Sequence, residues 1–266
     1  MNKRKFYVAQ AIGKVTFFEI IRDKVLYNIV LCSFLLLAIS FLAARLAVFK
    51  QDRVLLDFGL TALNLSCLMI AVFNGASMIG KEFERRTVLV ALSRPISRLE
   101  FVLGKFAGLA AVITVNWLLL TVSFIIIMVA TASVDLGNAI GFTFAAALIL
   151  GLLQSFMVAA IAVFFSSFST TSLSVIFTIG LYLIGTNISQ LRWLASKTEF
   201  NEAGIAPLLN FFAAILPNFE HFNLGPKVTY NLPLTWSYLL ATVTYGLVIS
   251  SLAILLSGVL IQRKEA

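Results

Sequence analysis

The stretch FVLGKFAGLAAVITVNWLLLTVSFIIIMVA occupies residues 101–130, and after Lys105 it contains no ionised side chain. An α-helix rises about 1.5 Å per residue, so about 20 apolar residues are enough to cross the roughly 30 Å of hydrocarbon in a bilayer. This stretch is long enough and apolar enough to do so. It predicts a membrane-spanning helix, and therefore an integral membrane protein.

The composition of the whole chain agrees with this prediction. Of its 266 residues, 60% are hydrophobic and 12% are charged, and the mean hydropathy is +0.99, values far from those of soluble domains. Five more apolar stretches of spanning length occur, at residues 25–49, 56–79, 139–168, 171–191 and 236–261. The predicted fold is all-α and integral to the membrane, with six transmembrane helices in one membrane domain of residues 25–266. Only the polar residues 166–172 separate the fourth span from the fifth, so the topology depends on that junction.

The distribution of basic residues predicts the orientation in the membrane. With six spans and both termini on one side, fourteen of the 20 Lys and Arg residues fall on that side, whereas the 12 acidic residues divide evenly. Lys and Arg in short flanking loops favour the cytoplasm. Both termini are therefore predicted to be cytoplasmic, in a multi-pass protein. The resulting basic face suits anionic lipid, and it accounts for the formal net charge of +8 without a nucleic-acid partner.

Residues 1–24 precede the first span and carry both apolar and basic side chains. Phe17, Ile21 and Val25 are spaced i, i+4, i+8, so they share one face of a helix. This pattern predicts an amphipathic helix that lies in the cytoplasmic interface. One alternative is a basic tail that only sets the topology. The other is a cleaved signal peptide, but the apolar run that begins at Val25 is too long for one.

Residues 192–235 connect the fifth and sixth spans and are predicted to lie on the outer side. Within them, residues 205–216 are almost wholly apolar but too few to cross a bilayer, which predicts a re-entrant or interfacial helix. Pro217 and Gly225 are typical of a folded loop. Trp236 marks the outer interface, where the sixth span begins.

The chain offers little for catalysis or metal binding. It has one histidine, His221, and two cysteines, Cys32 and Cys67, which cannot form a zinc site or a disulfide framework. A serine nucleophile would need a base, and the histidine falls in the predicted outer loop. We therefore predict no catalytic residue, no metal and no cofactor in this chain, and no enzyme activity of its own.

Residues 75–82, GASMIGKE, match the phosphate-binding pattern G-x-x-x-x-G-K-[ST] up to its last position. Glu82 stands where the pattern needs a hydroxyl for Mg²⁺, and its carboxylate would repel phosphate. The glycines also lie at the end of an apolar membrane span, whereas the pattern requires a turn between a strand and a helix. The match therefore predicts no nucleotide site.

The apolar runs contain amides but no acidic residue in their interiors. A transporter driven by an ion gradient usually needs such buried charges, so the energy for any transport is expected to come from elsewhere. The amides serve either interhelical hydrogen bonding or the lining of a substrate path. Four are candidates for the pathway or for helix packing: Asn64, Asn74, Asn116 and Gln154. Close helix packing is also predicted at two small-residue pairs: Gly104 with Gly108, and Gly137 with Gly141.

The connection between the second and third spans, KEFERRTVLVALSRPISRLEFVLGK at residues 81–105, is too structured to be a mere tether. Val88, Leu89 and Leu92 place apolar side chains on one helix face, and charged residues crowd the start of the segment. Pro95 disfavours helical geometry at the residue before it and so ends the helix. We predict a short amphipathic helix over about residues 82–95, exposed to the cytosol and joined to two membrane helices.

These residues resemble a known family, the permease subunits of ABC-2 type ABC transporters. In that family the connection looks like E-x-E-x-G-T, then an apolar helix, S-x-P-[IV]-S-R, and a G-K that enters the third span. The matching residues here are Glu82, Glu84, Thr87, Leu92, Ser93, Pro95, Ile96, Ser97, Arg98, Gly104 and Lys105. Arg86 stands where the family usually has glycine, which puts the turn into the helix in question. The resemblance extends over the N-terminal helix, the six spans, the outer region and the basic C-terminal end.

The resemblance implies a permease subunit coupled to a separate cytoplasmic ABC ATPase, which would bind ATP and Mg²⁺. It further implies a second permease copy or homologue, a bacterial inner (cell) membrane, and export as the direction of transport. The helix over about residues 82–95 would be the coupling helix, which docks into a groove on the ATPase. The ATPase-coupling residues implied are Glu82, Glu84, Arg85, Arg86, Thr87, Leu89, Leu92 and Arg98.

Two alternatives to a transporter stay open on the sequence. The chain could be a membrane anchor that recruits a cytoplasmic partner through the same helix without transporting anything. The basic residues of the connection could also be no more than stop-transfer signals, although such signals do not require the Ser-x-Pro-Ile-Ser-Arg turn. The substrate is not predicted, because a fold of this kind does not determine the cargo.

Overall fold

The structure is a computed structural model of the chain and describes residues 3–46, 51–84, 97–131, 141–197, 205–230 and 232–263. These residues form ten α-helices and one 3₁₀ turn, and they contain no β-strand. The first five helices are α1 (Lys3–Ile21), α2 (Lys24–Leu46), α3 (Gln51–Glu84), α4 (Arg98–Thr131) and α5 (Phe142–Ser166). The others are α6 (Thr171–Gly185), α7 (Ile188–Ala195), α8 (Ala206–Ile215), α9 (Gly225–Thr229) and α10 (Trp236–Arg263), with the 3₁₀ turn at Glu220–Phe222.

The long helices form a bundle with α5 at its centre. In its most apolar window 72% of the residues are buried, against 22% for α2 and 28% for α10. Helix α3 packs against α2, α4, α5 and α6, and α10 packs against α5 and α4. The two peripheral helices expose leucine and other large apolar side chains, as lipid-facing helices of a membrane bundle do.

The predicted all-α membrane fold is confirmed, with one difference in the fifth span. Five helices are long and apolar enough to cross a membrane by themselves, and a sixth crossing arises only if α6 and α7 count together. These two helices are bent by 62° at the break between them, so residues 171–191 are not one straight helix. The side chains of Thr186 and Asn187 hydrogen-bond back to the carbonyls of Tyr182 and Leu183, at 3.0 and 2.8 Å, and so compete with the continuation of the helix.

The polar junction between the fourth and fifth spans is a tight turn. Helix α5 ends at Ser166 and α6 begins at Thr171, and α6 packs beside both α5 and α3. The hydroxyl of Ser169 donates to the carbonyl of Phe165, 3.0 Å away, and lies 2.7 Å from the hydroxyl of Ser174. The serines of this junction therefore bond to the last carbonyls of α5 and to each other, whereas the buried hydroxyl of Thr171 has no hydrogen-bond partner among the described residues.

The N-terminal helix, predicted over residues 1–24, runs from Lys3 to Ile21 and packs along the first half of α4. Its inner face buries Thr16 and Ile20, while Val15 and Phe18 remain exposed. The chain then turns at Asp23, whose carboxylate accepts a hydrogen bond from the backbone N–H of Val25 at 3.0 Å and caps α2. The helix is thus amphipathic, and its inner face meets protein.

Two glycines of α4 allow α1 to approach closely. A Cβ placed on Gly108 would lie 2.6 Å from the carbonyl oxygen of Gly13, and one on Gly104 would lie 2.8 Å from the carbonyl oxygen of Ala9. These neighbours are backbone atoms, which cannot move aside as a flexible side chain can. The prediction of close packing at Gly104 and Gly108 is confirmed, whereas Gly137 lies outside the described residues.

Candidate functional site

The bundle has two ends, which we call the basal end and the distal end. At the basal end lie Gly80 of α3, Leu99 of α4, Ser166 of α5 and Gly258 of α10; a Cβ on Gly80 would meet Thr171, and one on Gly258 would meet Leu99. At the distal end the rings of Phe142 and Trp236 are 4.4 Å apart between centroids. The two helices that flank residues 85–96, α3 and α4, both have their flanking ends at the basal end.

A single hydroxyl joins α5 to α3 at the basal end. Ser166 Oγ donates to the carbonyl of Ala76 at 2.7 Å and accepts from the backbone N–H groups of Gly80 and Ile79 at 2.9 and 3.2 Å. A serine hydroxyl has one donor and two acceptor sites, so this group is fully used. The contact lies about one to two turns from the end of α3 at Glu84 and fixes that end to the centre of the bundle.

We predict that Ser166→Ala lowers the stability of the bundle by about 1–3 kcal/mol, because three buried hydrogen bonds lose their shared partner. Thermal unfolding of the purified protein in detergent measures this as a lower midpoint temperature. Ser196→Ala is the matched control, since the exposed Ser196 hydroxyl bonds only to the carbonyl of Trp193 in its own helix. Equal midpoints for the two variants would contradict the role given to Ser166.

The start of α4 is fixed by a capping box. The hydroxyl oxygen of Ser97 accepts from the backbone N–H of Glu100, and a carboxylate oxygen of Glu100 accepts from the backbone N–H of Ser97, both at 3.3 Å. This box satisfies two backbone donors that the first turn of a helix leaves open. Helix α4 therefore begins at a defined residue directly after residues 85–96.

The predicted coupling residues divide between described and undescribed parts of the chain. Glu82 and Glu84 belong to the last turn of α3, and Arg98 is the first residue of α4. Most of the predicted coupling helix, residues 82–95, lies outside the described residues. The coupling residues in that part are Arg85, Arg86, Thr87, Leu89 and Leu92.

The phosphate-loop-like residues 75–82 lie inside helix α3. A Cβ on Gly75 would lie 2.8 Å from the Cβ of Ala162, and one on Gly80 would lie 2.8 Å from the hydroxyl oxygen of Thr171. Both glycines therefore serve the close packing of α3 against α5 and α6. The helical backbone offers no loop of free N–H groups for a phosphate here.

A buried lysine connects α1 to α4 near the basal end. Lys105 is 6% exposed, and its Nζ lies 3.9 Å from a carboxylate oxygen of Glu19 on α1. A small cavity beside this pair is also lined by Asp23 and by Asn74, one of the four candidate amides. The Asn74 side chain donates to the carbonyl of Ile70 in its own helix at 3.2 Å. The lysine of the G-K pair is thus placed against acidic residues of the N-terminal segment.

Asn116 lies in a chain of hydrogen bonds that joins three helices. The hydroxyl of Ser33 on α2 donates to that of Ser66 on α3 at 2.5 Å, and the Asn116 amide on α4 donates to the same Ser66 oxygen at 3.0 Å. All three side chains are buried. This placement fits the helix-packing interpretation of Asn116.

Asn64 and Gln154 instead line one cavity of about 400 Å³. Gln154 is at the middle of α5, and Asn64 is near the middle of the spanning part of α3. Tyr182 of α6 and Thr186, the residue after that helix, also line the cavity, together with Glu220 from the loop between α8 and α9. Gln154 and Tyr182 are both polar members of this lining. The structure therefore brings together two of the four candidate amides at mid-span depth.

The loop after α8 reaches this depth because two phenylalanines are buried in the bundle. Phe219 is 0% exposed and Phe222 is 1% exposed. The backbone N–H of Phe219 donates to the carbonyl of Gly185 at 2.9 Å. A Cβ on Gly185 would lie 2.4 Å from the carbonyl oxygen of Pro217, so only glycine allows this approach. The apolar stretch of residues 205–216, predicted as a re-entrant or interfacial helix, forms α8, and it is the loop after this helix that packs into the bundle.

Glu220 was not predicted as a site residue, and its side chain lines the mid-span cavity. The backbone N–H of Ser189 donates to its Oε1 at 3.0 Å, and the Ser189 hydroxyl donates to its Oε2. The carboxylate thereby caps α7 at the break in the fifth span. The prediction of acid-free span interiors concerned the apolar helices, and Glu220 comes instead from the loop that packs among them. The sequence signal that could have indicated its position is the pair of phenylalanines around it, Phe219 and Phe222.

One family model matches the chain over most of its length. The model describes an ABC-2 family transporter protein, and it matches residues 10–266. A search of curated proteins finds no match. The matched region includes the N-terminal helix, all the spans, and the residues that surround the mid-span cavity.

Proposed function

The chain belongs to the ABC-2 family of transporter proteins, and from this membership we propose that it works with a separate cytoplasmic ATPase as the permease subunit of an exporter. As a member it is a multi-pass membrane protein and the membrane permease component of an ABC transporter. The family is a membrane component without an ATPase site of its own. ATP and Mg²⁺ would therefore be bound by the partner.

The observation that carries the proposal is the way residues 85–96 are attached. They follow the end of α3 and precede the start of α4, two helices of 34 residues each. Ser166 holds the first helix end, and the Ser97–Glu100 capping box defines the second. A displacement of this segment would pass directly into two membrane helices. This is the mechanical requirement for coupling ATP hydrolysis to movement of the spans.

The segment has the chemistry for docking to an acidic groove. Its apolar side chains Leu89 and Leu92 would become buried, while Arg85 and Arg86 would pair with acidic residues of the ATPase. Charged pairs at such an interface set orientation and specificity more than affinity. The roles of Glu82, Glu84, Thr87 and Arg98 would be to hold the helix in register between α3 and α4.

The transporter would contain two permease units and two ATPase subunits in a bacterial inner membrane. The second unit would be another copy of this chain or a homologue. The termini and the basal end would face the cytoplasm, because that placement puts the excess of Lys and Arg inside. Export is the direction that the family resemblance implies.

The mid-span cavity favours transport over a simple membrane anchor. Polar side chains at mid-bilayer depth cost free energy unless they are satisfied or serve a ligand, and an anchor gains nothing from them. Asn64, Gln154 and Glu220 line a space large enough for a small molecule. An anchor could bind the ATPase through the same residues, so a test of transport has to measure more than binding.

Hydrolysis of ATP in reconstituted vesicles separates the two functions. The ATPase that copurifies with the chain is expected to hydrolyse ATP several-fold faster when bound to the permease in the bilayer than when alone. Addition of a transported substrate is expected to raise the hydrolysis rate further. An anchor would leave the hydrolysis rate unchanged by any tested cargo. Unchanged rates across a panel of charged, neutral and lipid-like compounds would therefore contradict the transporter.

A further inference from the structure

The cavity between α3, α5, α6 and the 3₁₀ turn carries a charge of one sign. Its described lining contains amides, hydroxyls and two leucines, and Glu220 is the one charged residue among them. Among the residues that the structure describes, no Lys, Arg or His lines it. An anionic ligand would meet a carboxylate of like charge with no counter-charge, which is costly at this depth.

The carboxylate of Glu220 is held in place but not fully used. Ser189 supplies one donor to each of its oxygens. A carboxylate has about four lone-pair sites, so further acceptor sites remain on the side that lines the cavity. Glu220 is about half-buried, and it belongs to the cavity wall as well as to the cap of α7. A helix cap alone would need neither the cavity nor the amides that face the same space.

The rest of the wall suits a ligand that donates hydrogen bonds. Asn64 and Gln154 carry amide oxygens, and Tyr182 adds a ring face and a hydroxyl. Leu65 and Leu68 supply apolar surface on the α3 side. The volume of about 400 Å³ is in the range of sites for small organic molecules.

We propose that the mid-span cavity binds an organic cation, with its ammonium group against Glu220 and its apolar part against Leu65 and Leu68. The inference rests on the proposed function, since it names the class of cargo that the permease would recognise. Glu220 would act as the counter-ion, and Gln154 and Tyr182 would orient the cation. A cation that leaves water here would exchange its hydration for a fixed carboxylate and amide oxygens.

The test uses two dansyl probes of nearly equal size and the purified full chain in detergent, without any ATPase. Dansylcadaverine carries a primary ammonium at the end of a five-carbon chain, and N-hexyl dansylamide is its neutral counterpart, with a methyl group in place of the ammonium. Saturable binding is read from dansyl fluorescence after subtraction of protein-free micelles. We expect the cationic probe to bind at least about tenfold more tightly than the neutral one, as expected for a hydrogen-bonded charge.

Two variants assign that preference to the cavity. Glu220→Gln keeps the size of the side chain and is expected to abolish the preference for the cation. Leu68→Trp fills the space without changing any charge and is expected to abolish saturable binding of both probes. Asp52→Asn removes an acidic group at the distal end of α3, outside the cavity, and should leave both affinities unchanged. Gel filtration checks that each variant is monodisperse before binding is measured.

Four results would overturn the proposal: no saturable binding by the unmodified chain, equal affinities for the two probes, a cation preference that survives Glu220→Gln, or binding that survives Leu68→Trp. Leu68→Trp leaves the Glu220 carboxylate unchanged. It therefore tests whether the probes bind in the cavity even if the Glu220→Gln variant does not fold. The assay contains no ATPase. Failure of the cation site is therefore separate from failure of the coupling to an ATPase.

Discussion

Reversal of both Arg85 and Arg86 to glutamate is expected to reduce recovery of the partner ATPase by at least about tenfold. The two arginines belong to the predicted coupling helix, and the proposed groove on the ATPase is acidic. Removing one partner of a buried interfacial charge pair costs about 2–5 kcal/mol, and a reversed charge adds repulsion. Affinity purification of the tagged variant, with quantification of the copurified ATPase, measures the loss.

The amount of permease in the membrane should not change, because these residues lie outside the apolar spans. The control is a reversal of Arg263 and Lys264 at the C-terminal end, which makes the same change in net charge away from the coupling segment. This control should retain the ATPase. Full recovery of the ATPase by the Arg85 and Arg86 variant would refute the docking role. Equal losses of ATPase from both variants would show that net charge, and not these two positions, determines the recovery.

Gly108→Leu is expected to separate α1 from α4. The Cβ alone would lie 2.6 Å from the carbonyl oxygen of Gly13 and 2.8 Å from the Cβ of Thr16, so the α1 backbone must move. Overpacking of this kind costs about 1–3 kcal/mol or more. It would also weaken the contact between Lys105 and Glu19, which join the same two helices. We expect a lower midpoint of thermal unfolding and faster proteolysis of the N-terminal segment.

Gly180→Leu is the matched control for this prediction. Gly180 lies in the middle of α6, and a Cβ placed on it would meet no atom within 4 Å. Both substitutions remove a helical glycine and gain the same helix propensity, so the comparison isolates the steric effect. Resistance of the Gly108 variant to proteolysis, at the level of the Gly180 variant, would contradict the packing of α1 on α4.

The sequence predicted the features that depend on local composition and spacing. Helices α4 and α5 follow from long apolar runs, and the break between α5 and α6 follows from the polar residues 166–172. The close approach of α1 to α4 follows from the glycine spacing, although its partner could not be named. These signals are local because a membrane helix has to satisfy its backbone within itself.

The features that the sequence did not predict depend on tertiary contacts. The end of α6 at Gly185 reflects the approach of Pro217 and Phe219, which are distant in sequence. Glu220 belongs to a loop that the sequence placed outside, and only the burial of Phe219 and Phe222 brings it to mid-span depth. The four amides were alike in sequence. Their different surroundings arise from which helices meet at each position.

The central claim is that this permease works with a separate ATPase, and copurification tests it most directly. The tagged chain would be purified in mild detergent with nucleotide trapped, and mass spectrometry would identify what accompanies it. We predict a cytoplasmic ABC ATPase at near one copy per permease, in a complex that contains two permease units. A stable preparation that contains no ATPase under these conditions would contradict the account.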